Sequence, residues 1–238
     1  MVKDNPITKL YHRIFVVPPS KHVAERTRIR LRGLRQHKSG VVVLHGYSFH
    51  YPDYETLRMV YREVFLHEIY SLPSWDAIEN VVDMGANCGL FALYARLHAP
   101  NAQITCYEPQ LECVEAMRAT GHVNAIVAAA VAREGGQLCL SRSEPGDPAA
   151  TLAVQGITVD AVAARNIDMS KVDVLKMDIE GAELEVLESL DLSHVSKLII
   201  EIHGLGDVWK IISRWFNHIE IRAVNTNPAQ YTIYAAKK

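Results

Sequence analysis

Val81-Val82-Asp83-Met84-Gly85-Ala86-Asn87-Cys88-Gly89 decides how this chain folds. The valines and the acid that follows them read as a buried parallel strand with a charged tip. Gly85 and Gly89 then turn the chain into a helix. Twenty-five residues beyond Asp83, Tyr107-Glu108-Pro109 sets a second acid at the tip of the next strand. Strand, turn, helix and strand in this order form one nucleoside-binding half of an α/β sheet. The dinucleotide fingerprint is different: in G-x-G-x-x-G, backbone amides and a helix N-terminus meet a pyrophosphate. Here Asp83 is a carboxylate where an anionic ligand wants no charge, and Ala86 and Asn87 stand where a dehydrogenase would need glycines. A ligand with a cationic amino group and no phosphate suits such a site.

S-adenosylmethionine has that ammonium, a sulfonium, and a ribose whose hydroxyls Glu108 can accept from. The expected cofactor set is Asp83, Gly85, Ala86, Asn87, Gly89, Glu108 and Pro109, with Asp178 from a later strand. In the competing structural reading Asp83 caps a helix and the glycines only turn the chain. Two acids at strand ends with this separation favour the ligand.

The chain has 238 residues, nearly half of them apolar, and a formal net charge of -2. That is enough for one large domain with a small attachment. No apolar run nears the ~18 residues of a membrane span. The N-terminal Met-Val-Lys-Asp-Asn-Pro lacks the apolar core of a signal peptide. Cys88, Cys106, Cys113 and Cys139 form no C-x-x-C pair, which argues against a zinc site or a disulfide framework. A cytoplasmic location is expected. Between residues 21 and 38, Lys21, Arg26, Arg28, Arg30, Arg32, Arg35 and Lys38 face one acid, Glu25. A basic arm can meet nucleic acid or anionic lipid, but it is more often a solvated face. The acidic remainder does not favour a nucleic-acid footprint. The sequence leaves the oligomeric state open, a homodimer included.

Two regions are expected: an N-terminal extension over 1–75 and an α/β domain over 76–238. In the extension, Gly40–Gly46 reads as a short strand, Tyr47–Tyr51 as an aromatic loop, and 53–70 as a helix closed by Pro73. Leu57, Val60, Tyr61, Val64, Phe65 and Ile69 recur there at helical spacing. Strands are predicted near 80–84, 103–108, 123–130, 172–177 and 196–202, and helices over 89–98, 110–120, 181–190 and 206–216. This alternation implies a parallel sheet covered on both faces. Ile219–Val224 and Tyr231–Ala235, joined by Asn225-Thr-Asn-Pro228, read as a hairpin with one reversed strand. Residues 142–151 read as a loop near the ligand crevice. The fold class is therefore α/β, a Rossmann-like class I methyltransferase fold with a seven-stranded, mostly parallel sheet.

Ligands of open α/β sheets bind outside the carboxyl ends of the strands. Two further strand ends carry charge there. In Lys176-Met-Asp178-Ile-Glu180-Gly-Ala-Glu183, four ionisable groups fall within eight residues. Such a concentration is expensive unless the groups serve a ligand or one another. The following strand ends in Glu201-Ile-His203, two positions apart and so on one face. If the two strands are neighbours, Asp178, Glu180, Glu201 and His203 meet in one cleft. Blander roles stand beside these: Glu183 as a helix-terminus acid, Lys176 as a neutraliser, and His203 as a satisfied strand-end imidazole. A divalent ion on Asp178, Glu201 and His203 is conceivable chemically, but no metal is expected.

The set VVDMGANCG, YEP, Thr158-Val-Asp160, LKMDIEGAE and IIEIH resembles the FkbM family of S-adenosylmethionine-dependent methyltransferases. Phe49-His-Tyr-Pro-Asp-Tyr and Tyr61-Arg-Glu-Val-Phe65 resemble the segment that precedes that family's cofactor domain. The likeness spans about 47–205; residues 1–40 match nothing nameable. It implies a class I fold and O-methyl transfer to a small-molecule acceptor, such as a sugar, a polyketide-like hydroxyl or a carboxyl. On that reading His203 is the base, Glu201 orients it, Asp178 holds substrate or cofactor, and Glu180 completes the catalytic set. Tyr51 and Tyr54 would close over the site. Two other readings stand: a cyclase or lyase that releases methylthioadenosine from the cofactor's own aminobutyrate part, and a non-catalytic module binding a nucleoside or RNA.

Overall fold

The computed structural model describes residues 39–141, 151–203, 207–224 and 230–237, without the side chains of Leu152, His203, Ala223 and Val224. The basic run 21–38, nearly all of the 142–151 loop and the 225–228 connection lie outside the described residues. Elements follow in the order β1 (Gly40–Leu44), β2 (Tyr47–Tyr51), α1 (Tyr54–Tyr61), β3 (Asn80–Met84), α2 (Leu90–His98), β4 (Gln103–Tyr107), α3 (Leu111–Thr120) and β5 (Ala125–Val127). Then come β6 (Ala130–Ala132), β7 (Gly136–Ser141), β8 (Thr151–Leu152), β9 (Ile157–Ala163), β10 (Val174–Met177), α4 (Glu183–Ser189), β11 (Lys197–His203), α5 (Val208–Trp215), β12 (His218–Val224) and β13 (Gln230–Ala236).

Seven strands form the main sheet in the order β12-β13-β11-β10-β3-β4-β5. β10, β11, β3, β4 and β5 pair in parallel, and β13 runs against both its neighbours. This is the class I methyltransferase arrangement, with the reversed strand where the terminal hairpin predicts it. Because β3 and β10 are covered on both sides, consecutive residues enter different cores. Val81 and Val174 pack with α2 on one face, while Val82, Met84, Leu175 and Met177 pack with α4 and α5 on the other.

The segment preceding β3 differs from its sequence reading in two places. Tyr47–Tyr51 is not a loop but the second strand of a hairpin, in register Leu44↔Tyr47 to Gly40↔Tyr51. His45 and Gly46 supply the reason, since both adopt the positive φ (49° and 92°) of a two-residue hairpin turn. The predicted 53–70 helix is α-helical only to Tyr61, capped at its start by the Asp53 carboxylate, which accepts from Thr56 N at 2.8 Å. Over Arg62–Leu66 it widens into a π turn, in which His67 N donates to Arg62 O at 2.8 Å. Widenings of this kind displace one side chain from the helical register, and here they carry Glu63. Leu44, Phe49, Leu57 and Tyr61 share the core that covers Val81 and Ile104, so this segment packs directly on the main sheet.

A second, four-stranded sheet of order β6-β9-β7-β8 sits between β5 and β10. The 123–130 expectation merged β5 with β6. The chain bends between them, where Ala129 N bonds back to Val127 O at 2.9 Å. Among the described residues, no helix is long and apolar enough to cross a membrane.

Candidate active site

The turn after β3 is built from three left-handed residues, Gly85 (φ 76°), Asn87 (φ 49°) and Gly89 (φ 86°). Its amides are all committed within the protein. Gly85 N and Ala86 N donate to Tyr107 O at 3.0 and 3.1 Å. Asn87 N donates to Glu108 Oε2 at 2.8 Å, Cys88 N to Asn87 Oδ1 at 2.8 Å, and Gly89 N to Ala86 O at 2.9 Å. A phosphate nest needs such amides free, so this turn does not suit a dinucleotide. Glu108 is held across it, its other oxygen accepting from Gln110 N at 2.8 Å. Burial pushes the Glu108 carboxyl up to about 7 against the pull of these two amides.

Above the carboxyl ends of β4, β3, β10 and β11 lies a cavity of about 300 Å³. Gly85, Ala86, Asn87, Glu108 and Pro109 line one end. Asp178, Glu180 and Glu201 line it as well, together with Lys176, Tyr70 and Glu63. Ala130, Val131, Leu138 and Leu140 of the second sheet supply an apolar wall. Glu108 follows β4 and Glu201 lies on β11, three positions apart in the sheet, which at ~4.8 Å per strand separates them by roughly 14 Å. The adjacency assumed from sequence holds: β10 and β11 are neighbours, with Met177 level with Ile200, and Asp178 and Glu201 come one step further along.

Two expected cofactor residues lie beneath this surface. Asp83 is wholly buried, and its counter-charge is the protein's own: Lys176, level with it on β10, places Nζ 3.2 Å from Asp83 Oδ1. The same ammonium donates to Gly85 O at 2.7 Å and stands 3.7 Å from Asp178 Oδ2. Burial pulls Lys176 down, but Asp83 and Asp178 more than offset this and hold it protonated above its ordinary range. Gly89 begins α2, with its carbonyl 2.8 Å from His122 Nε2. Tyr51 and Tyr54 do not line the cavity either. Both are buried in the core, rings 6.3 Å apart, because β2 and α1 turn them inward. His203 ends β11 opposite Gln230, and its side chain lies outside the described residues.

Sequence reasoning passed over Tyr70 and Glu63. The Tyr70 hydroxyl stands 3.3 Å from Asp178 Oδ2 and 3.2 Å from Glu201 Oε2. Burial, then Asp178 and Glu201, push its phenol upward. Burial and Asp178 push both Glu63 and Glu201 up to about 7. For Glu63 the available signal was a charged residue between Tyr61 and Val64, inside an apolar helical stripe. Tyr70 carried no signal, being one aromatic among many. Among the described residues, no group of three His, Cys, Asp or Glu is arranged to hold a metal.

The methyltransferase FkbM domain matches residues 83–224, more than half of the chain. The chain belongs to this family. Methyltransferase sdnD of Sordaria araneosa is 25% identical over 193 residues, which span 60% of this chain and 74% of that one. Methyltransferase 1 of Beauveria bassiana is 22% identical over 182 residues, 61% of this chain and 73% of its own. The AMB antimetabolite synthetase AmbE of Pseudomonas aeruginosa is 27% identical over 205 residues, but these are only 10% of that synthetase and 62% of this chain.

This FkbM-family protein is thus an S-adenosylmethionine-dependent methyltransferase. The cavity's chemistry fits that cofactor. Its ionisable groups are mostly carboxyls, and Asp178 Oδ1 is buried with no hydrogen-bond partner among the described residues. Such a site accepts hydrogen bonds and positive charge, as a ribose diol with a sulfonium and an ammonium requires.

Proposed function

We propose that the enzyme transfers the methyl group to a hydroxyl oxygen of a small molecule, and that Glu201 takes the proton this oxygen loses. The observation that carries this reading is a half-buried carboxylate at the cavity end remote from Glu108, with no ion pair among the described residues. S-adenosylmethionine supplies an activated methyl group on a positive sulfur. The new oxygen–carbon bond forms as the carbon–sulfur bond breaks, the bonding pair stays on sulfur, and the hydroxyl proton passes to the Glu201 carboxylate. Glu108 holds the ribose diol, the turn Gly85-Ala86-Asn87 with Pro109 frames the nucleoside, and Leu138 and Leu140 exclude water. Asp178, anchored by Lys176, faces the cationic part of the cofactor with Glu180 beside it. Sequence reasoning gave the base's role to His203, two residues further along β11; the same assay weighs the two.

Methyl-labelled S-adenosylmethionine is to be incubated with hydroxylated small molecules, and separately with protein and RNA. Label is expected in the small-molecule fraction as a methyl ether. Glu201→Gln should lower kcat by about 10²- to 10⁴-fold, with the acid limb of the wild-type profile near pH 7, where Glu201 gains its proton. Label on protein or RNA would contradict the reading, as would methylthioadenosine released without any acceptor. A full kcat in Glu201→Gln beside a dead His203→Gln would return the base to His203.

A further inference from the structure

Tyr70 and Glu63 both precede the matched domain, which begins at residue 83, yet both line the cavity at its acceptor end. Tyr70 sits between two carboxylates but has a single hydroxyl proton. Asp178 already has the Lys176 ammonium 3.7 Å away, whereas Glu201 has no cation paired with it among the described residues. The proton therefore does most for Glu201, its nearer partner at 3.2 Å. The tyrosine is well fixed for this role. It is 3% exposed, its ring meets Phe91 edge-on at 6.0 Å, and Lys176 Nζ lies 5.7 Å over its face. Glu63 comes from the π turn, half-buried, with its carboxylate unpaired among the described residues.

We propose that Tyr70 is a positioning residue for the transfer: its hydroxyl, 3.2 Å from Oε2, holds the Glu201 carboxylate aimed at the acceptor. The inference rests on the reading of Glu201 as proton acceptor. The groups facing Glu201 are Lys176 from β10, Asp178 and Glu180 from the turn after it, Glu63 and Tyr70 from the preceding segment, and the uncharged Thr232 opposite it on β13. Of these, Asp178, Glu63 and Glu180 raise the Glu201 carboxyl and the Tyr70 hydrogen bond lowers it. Removing the Tyr70 hydroxyl must therefore move Glu201 upward, which a merely structural role would not do.

The test is a carbon-13 titration of side-chain glutamate carboxyls in the full chain saturated with S-adenosylhomocysteine, with the Glu201 signal assigned by its loss in Glu201→Gln. The wild-type midpoint is expected near 7. Tyr70→Phe should raise it by about one pH unit, as loss of a hydrogen bond to a charged group does. A midpoint unmoved in Tyr70→Phe overturns the proposal. Should Tyr70→Phe fail to fold, the carbon-13 shift of the Tyr70 hydroxyl carbon in the wild-type chain decides: it must follow the Glu201 midpoint, and a shift that ignores it overturns the proposal. No acceptor takes part, so the outcome is independent of whether Glu201→Gln loses turnover, and the two readings fail separately.

Discussion

Replacing Gly85 with alanine is expected to destabilise the fold by more than about 4 kcal/mol. A Cβ built at Gly85 would lie 1.7 Å from Asp178 O and 2.8 Å from Asp178 C, and both are backbone atoms that cannot swing aside. The residue also holds φ at 76°, where a side chain is strained. The overlap arises from the topology: β3 and β10 are neighbours in register, and Asp178 N continues their ladder to Met84 O at 3.0 Å. The two loops that bear the site must therefore leave the sheet in contact. Relieving the overlap would push Lys176 away from the Gly85 carbonyl it bonds. Gly181→Ala is the internal comparison. It has a positive φ of 103° but nothing within 4 Å of its added Cβ, so only conformational strain of roughly 1–2 kcal/mol is expected. Urea unfolding of both variants checks this through the midpoint, provided the slope is unchanged.

Lys176→Met should have a comparable effect by a different route. The substitution leaves the Asp83 carboxylate buried without a counter-charge, a change that typically destabilises by about 3–5 kcal/mol. Burial already pushes Asp83 upward, and Lys176 is the group that opposes it. In the variant the folded-state pKa of Asp83 therefore stands further above its unfolded value, and the folded form binds a proton that the unfolded form releases. Stability must then fall as pH rises from the unfolded value through the folded one. The deficit of Lys176→Met relative to wild type should be smaller at pH 5 than at pH 8. Adding Asp83→Asn removes the stranded charge and should recover much of the loss. Denaturant melts of wild type, single and double variants at both pH values measure it.

These two sites also show how far the sequence could be read. The sheet was legible because β3, β4, β10 and β11 are short apolar runs with polar tips, and because the terminal hairpin required one reversed strand. The tips gave Glu108, Asp178, Glu180 and Glu201, since strand ends in a parallel sheet all open on one edge. Asp83 was located correctly on its strand, but its charged neighbour within the protein was not. Sequence reasoning offered it to a ligand's ammonium, whereas register gives it Lys176. That pairing depends on which strand lies beside β3, a non-local fact that no spacing along the chain encodes. The second sheet escaped notice for a similar reason: β6, β7 and β8 are short or interrupted, and only pairing with β9 makes them strands. Tyr47–Tyr51 was a different failure. Its aromatic and polar residues alternate with period two, but attention to the aromatics hid the pattern. Tyr70 and Glu63 reach the cavity through the π turn and the chain reversal after it, which local propensity does not specify.

The proposed transfer requires one cavity with a nucleoside end at Glu108 and an acceptor end at Glu201. Calorimetric titration of S-adenosylhomocysteine into wild type, Glu108→Gln and Glu201→Gln tests it most directly. One-to-one binding to wild type is expected, with roughly tenfold or more weaker binding to Glu108→Gln, as follows from a hydrogen bond to a charged group worth at least about 1.5 kcal/mol, and affinity within about twofold of wild type for Glu201→Gln. Equal affinity for wild type and Glu108→Gln, or a loss confined to Glu201→Gln, would contradict it.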